Sequence, residues 1–204
     1  MSDAPPPSNP DLSETVLDEV AGHRETVLVG DIVVLVEQYD EAYADERGVP
    51  VDRLVAYVEN LARNGYDFDP DGVREGLDGK AVDSDTFAGT DAVYWVGEDR
   101  VSAFPPRWHD ELDGETDVVR YVEVMLADID DSESAFDHGG AGSGIPVPDL
   151  VNAVNAMSDM TREQVSSEIN RLHDEGVFEE DTEQHPEARV RLVGQGDRED
   201  VSGR

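Results

Sequence analysis

The chain has 204 residues, 49 Asp and Glu against 15 Lys and Arg, a formal net charge of −34 and no cysteine. That length holds one ordinary domain or two small ones, and the lack of cysteine excludes disulfides, thiolate metal sites and a cysteine nucleophile. No apolar run reaches the ~20 residues of a membrane span, and the opening MSDAPPPSNPDLSE lacks both the basic and the apolar part of a signal peptide, so the sequence reads as cytoplasmic.

In chain order, residues 1–25 read as a disordered arm with a short helix, capped by Ser13 and stopped at Gly22. Leu28, Ile32, Leu35, Val36, Tyr39 and Tyr43 keep a three-or-four spacing that predicts a helical stripe ending before Gly48. The same letters, ETVLVGDIVVLV, also fit two β-branched strands about a Gly-Asp turn; the length and the continuation to Tyr43 favour the helix. A Gly-Val-Pro entry then leads into a helix over 52–63 with Leu54, Val55, Val58 and Leu61 inward, ended by the Asn64-Gly65 turn. Asp69 before Pro70 predicts the next helix start, with Val73 and Leu77 inward. DAVYWVG, a Glu98-Asp99 turn and RVSAFP predict a hairpin.

These parts recur. GVPVDRLVAYVENLA from Gly48 and GIPVPDLVNAVNAMS from Gly144 agree at glycine, proline, valine and leucine in the same slots. Ahead of the second motif, Val118, Val122, Met125, Leu126 and Ile129 form a helical stripe over 116–129. After it, Thr161 caps a helix carrying Val165, Ile169 and Leu172, and VFEED with ARVRLVG closes a second hairpin. Val73 then answers to Val165 and Leu77 to Ile169. The expected division is a first domain over 26–109, a second over 115–194 and a disordered tail over 195–204. The Gly-rich stretch 130–144 lies inside the second domain, so the 116–129 helix belongs either to that domain or to a seam between copies.

The acidity has its own pattern. Lys80 is the one lysine, the other cations are arginines, and Asp and Glu spread through helices and loops alike. This resembles proteins of extreme halophiles, in which acidity reports the solvent: at about 1 M salt the Debye length is about 3 Å, and only groups in contact are felt.

Helix, short extended entry, helix, turn, helix, hairpin resembles the winged helix-turn-helix, here twice over 28–194. The fold expected is therefore mainly α with small β-hairpins, as two tandem winged-helix domains. GIPVPDLVNAV, TREQVSSEINRLHDEGVFEE and ARVRL are similar to archaeal winged-helix domains such as the one that ends the archaeal minichromosome maintenance helicase. The tandem also resembles segregation and condensation protein B. The resemblance implies that the third helix lies in a major groove, with Arg162, Ser166, Ser167, Asn170 and Arg171 outward and Arg189 and Arg191 on the wing gripping the backbone. The free N–H groups at Thr161 would take a phosphate. The first copy's DPDGVREGLDGK, with Arg74 and Lys80 among four acids, suits DNA poorly, while Tyr94, Trp95 and Trp108 either pack the core or present a protein-interaction surface.

The expected function is a DNA-binding transcriptional regulator or replication accessory factor, with duplex DNA as partner and a homodimer or protein partner besides. The alternative is an interaction adaptor in chromosome segregation or replication machinery. No enzyme, cofactor, metal or small-molecule substrate is expected. Lys80 follows no phosphate-binding loop, and the five histidines hold no ligand spacing, His109 beside Asp110 and Glu111 being an adjacency that so acidic a chain produces by chance.

Overall fold

The computed structural model describes residues 12–22, 27–43, 46–89, 92–130, 144–181 and 188–194. The expected tail over 195–204, most of the Gly-rich stretch and residues 1–11 lie outside the described residues. The architecture is mainly helical with two small antiparallel three-stranded sheets, and none of the described helices is long and apolar enough to cross a membrane.

Two compact units divide the chain. The first contains α1 (Glu14–Gly22), α2 (Val29–Tyr39), β1 (Val49–Pro50), α3 (Val51–Arg63), α4 (Gly72–Lys80), β2 (Tyr94–Gly97) and β3 (Arg100–Ser102). The second contains α5 (Pro106–Leu112), α6 (Val118–Asp130), β4 (Ile145–Pro146), α7 (Val147–Met157), α8 (Arg162–Asp174), β5 (Phe178–Asp181) and β6 (Arg189–Leu192). Both run helix, helix, strand, helix, helix, strand, strand, and in both sheets the last strand pairs between the other two. The repeat is thus one helix longer than the sequence motif announces.

That leading helix corrects both expected boundaries. Residues 14–22 are part of the first unit, because Val16 and Val20 are fully buried against α2, each worth about 1.5–3 kcal/mol relative to exposure. Residues 104–109, expected at the end of the first domain, begin the second unit: Pro106 opens α5, and Trp108 and Leu112 are buried there. Helix α6 packs on α7, α8, β4 and β6, so it belongs to the second unit and not to a seam.

The ambiguous 28–36 segment is helical. Ile32, Val33, Leu35 and Val36 are all buried; a strand would send alternate ones to the opposite face, whereas one helical turn gathers them. Leu28 drops out of the predicted stripe because it precedes the helix and is 60% exposed, its backbone N–H held by the Asp31 carboxylate at 2.7 Å. Tyr43 lies past the helix end, in a 3₁₀ turn over Glu41–Tyr43. Helix α4 starts at Gly72, two residues after Pro70, because Asp69 caps a tight turn through the N–H of Asp71.

The Gly-x-Pro motif has one physical cause in both units. Gly48 (φ 59°) and Gly144 (φ 140°) lie against the last strand, where a Cβ would come within 2.5 Å of the Val101 carbonyl oxygen and 3.0 Å of the Val190 one. The β-branched residue that follows, Val49 or Ile145, is fully buried opposite Val101 or Val190, and the proline then sits at the N-cap of the next helix. Opposite each proline stands an arginine, Arg100 or Arg189, whose guanidinium donates to the carbonyl of the motif glycine at 2.6 and 3.4 Å.

The first unit closes around a buried carboxylate. Asp40, at the C-cap of α2, accepts from Arg53 Nε and the Tyr57 hydroxyl, both at 2.8 Å, and Tyr57 Oη in turn accepts the N–H of Ser13 at 2.8 Å. Burial, and then the bond to Asp40, push the Tyr57 phenol well above its ordinary value of 10. Since the raised value belongs to the folded state, its contribution is complete below pH 10 and is lost as pH climbs beyond. Tyr57→Phe is therefore expected to flatten the alkaline limb of a stability-versus-pH curve measured by urea denaturation. Asp40→Ala, which strands Arg53 without its counter-charge, should cost about 3–5 kcal/mol in the same measurement.

Candidate functional site

Helix α8 is held from one side. Val165, Ile169 and Leu172 are buried, the Leu172 carbonyl accepts the N–H of Val177 just ahead of β5 at 2.9 Å, and Asn155 on α7 donates to the Met160 carbonyl at 2.9 Å and fixes the α7–α8 turn. That stripe leaves Ser166, Ser167 and Asn170 exposed on the opposite rows, as the spacing predicts. They are neutral donors and acceptors on the surface of a chain with 49 acids.

The start of α8 differs from the expectation. Thr161 Oγ1 accepts the Gln164 N–H at 3.3 Å and Gln164 Oε1 accepts the Thr161 N–H at 2.8 Å, a reciprocal cap that occupies two of the donors a phosphate would use. TREQ carries this signature in the sequence.

The cations expected at the interface are already engaged. Arg171 is forked onto Glu168 through Nε and Nη2 and reaches Glu175 through Nη1 at 2.7 Å. Glu168, and then Glu175, hold its guanidinium above its usual value, and the same bond holds the Glu168 carboxyl below its own. Arg191 Nε lies 3.2 Å from Glu179, its cross-strand partner. Arg162 donates to Asn152 Oδ1 on α7 at 2.7 Å, and Arg189 braces the Gly144 carbonyl. The acid partners at i−3 and i+4 of Arg171 were visible in EINRLHDE; the Asn152 contact joins two helices and was not.

The equivalent face of the first unit is clamped. Arg74 follows Val73 as Ser166 follows Val165, and its two amino groups reach Asp99 in the hairpin turn at 2.7 Å and Asp52 on α3 at 2.8 Å. The Lys80 side chain lies outside the described residues. Of the aromatic group, Tyr94 is 0% and Trp108 1% exposed, so both are packed inside and neither presents the exposed interaction surface expected of them. Trp108 gives its indole N–H to Asp128 at 2.8 Å, so its polar edge is satisfied within the second unit. Trp95 is half-buried and packs against the core of the first unit. His109 is buried, with Nδ1 3.1 Å from Asp113 Oδ1.

Compared with protein-family models, curated proteins and solved structures, the chain matches none. Trp108→Ala is expected to destabilise the protein by about 3–5 kcal/mol, whereas Trp95→Ala costs clearly less, both read by chemical denaturation followed by far-ultraviolet circular dichroism.

Proposed function

We propose that the chain is a tandem winged helix-turn-helix protein whose second unit docks on duplex DNA through α8 and the β5–β6 hairpin, acting as a transcriptional regulator or replication accessory factor of a salt-adapted cell. The observation that supports it is the exposed Ser166, Ser167 and Asn170 row, which offers uncharged hydrogen-bonding groups at the place where such a helix meets base edges. Asn170 suits adenine, and the serines suit a phosphate or a base. The ion pairs that occupy Arg171 and Arg191 are exposed, and exposed pairs are held weakly enough to be traded for a phosphate.

The engagement of those arginines favours a second reading, an adaptor that assembles with proteins and has little affinity for DNA. A protein whose cations are already neutralised gains little from the counterion release that drives most DNA association.

Fluorescence anisotropy against a randomised duplex pool in molar KCl separates the two. Under the DNA reading Arg162→Ala with Asn170→Ala weakens binding at least about tenfold, since a bidentate base contact is worth about 1–3 kcal/mol. Glu168→Gln with Glu175→Gln strengthens it by releasing Arg171. Absence of binding to every duplex by the intact chain would sink the DNA reading and leave the adaptor.

A further inference from the structure

The segment 84–89 lies between α4 and β2 in the chain, both elements of the first unit, yet by its packing it belongs to the second. Its anchor is Phe87, 7% exposed, whose ring stacks parallel on Trp108 with centroids 5.3 Å apart, an offset arrangement favourable to two aromatic rings. Phe104 lies on Trp108 as well, at 6.2 Å. The Asp128 side chain, fully buried on α6, accepts the Phe87 N–H at 3.3 Å, the Trp108 indole N–H at 2.8 Å and the Arg107 guanidinium at 2.6 Å. One further bond fixes the register: Arg107 N–H, in the first turn of α5, donates to the Asp85 carbonyl at 3.1 Å.

These contacts read a short peptide. They take a phenyl ring, the N–H of that same residue and the carbonyl two residues before it, while Asp85, Thr86 and Ala88 are exposed. An aromatic anchor read together with main-chain groups is how a groove recognises a linear segment. The slot also has a physical need for such a segment. Without it, a buried carboxylate loses a donor and the face of a buried indole is uncovered.

We propose that the Trp108–Asp128 slot of the second unit is a peptide-recognition site, filled in this chain by its own residues 84–89 as a releasable strap, and that a phenylalanine-bearing segment of a partner protein takes the slot when the strap leaves. The partner segment carries a phenylalanine with a free main-chain N–H, and a free carbonyl two residues ahead of it. The proposal does not rest on DNA binding, since the contacts that carry it come from α5, α6, Phe104 and the strap.

The test uses the full chain with Trp95→Phe, so that Trp108 is the single indole, with and without Phe87→Ala. The probes are the peptides SDTFAGT, which copies residues 84–90, and SDTAAGT. The Phe87→Ala chain is expected to bind SDTFAGT saturably, with a change in Trp108 emission and a raised Tm, and to ignore SDTAAGT. The chain with its strap intact should need at least about tenfold more SDTFAGT, because a tethered segment competes at an effective concentration in the millimolar range. Equal responses to the two peptides, or no response of the Phe87→Ala chain, would overturn the proposal. If Phe87→Ala does not fold alone, recovery of its circular dichroism by SDTFAGT but not SDTAAGT supports the slot, and recovery by neither overturns it.

Discussion

The close approach of a glycine backbone to the last strand of each sheet is the constraint on which both units rest. Gly48 and Gly144 occupy positive-φ conformations with the carbonyl of Val101 or Val190 where a side chain would stand. Only glycine fits, and once it does, the short first strand is pinned in register and the proline two residues on launches the next helix. The main-chain bonds from Val51 to the Asp99 carbonyl and from Val147 to the Ala188 carbonyl, both 3.0 Å, repeat the junction atom for atom. A tripeptide thereby sets how two helices and a hairpin meet, twice.

Each unit then places one buried carboxylate near the C-terminal end of its second helix. Asp40 collects Arg53 and Tyr57, and Asp128 collects Arg107 and Trp108. The chemistry is the same, an arginine and the polar hydrogen of an aromatic ring, but the donors come from α3 in the first unit and from α5 in the second. The carboxylates also reach segments that would otherwise be loose: Tyr57 passes the network on to Ser13 at the head of α1, and Asp128 holds the main chain of Phe87. Buried charge here serves to fix segments, because a carboxylate withdrawn from water must find donors wherever the chain can bring them.

The surface follows a different economy. With 49 acids and 15 bases, an arginine on this chain seldom lacks a carboxylate within reach, and Arg74, Arg171 and Arg191 are each held by one or two. On α4 of the first unit that pairing joins the helix to its own hairpin turn and to α3 and closes the face. On α8 the pairs lie within the helix and leave Ser166, Ser167 and Asn170 uncovered. Two faces built from one repeat therefore differ in what they can offer a partner.

Read without coordinates, the chain declares its periodic parts. The apolar spacing of Val165, Ile169 and Leu172 and of Leu54, Val58 and Leu61 specifies helices and their inward sides, and the Glu98-Asp99 turn specifies a hairpin, because each depends on neighbours in sequence. The outward row of α8 follows from the same arithmetic. What spacing left hidden was every relation made at long range: the membership of α1 and α5 in their units, the burial of Tyr94 and Trp108, the Arg162–Asn152 contact and the seat of Phe87. Local pattern settles which face of an element is apolar, whereas only packing decides which distant residue covers it, since a buried carboxylate or an indole accepts any donor or ring the folded chain delivers.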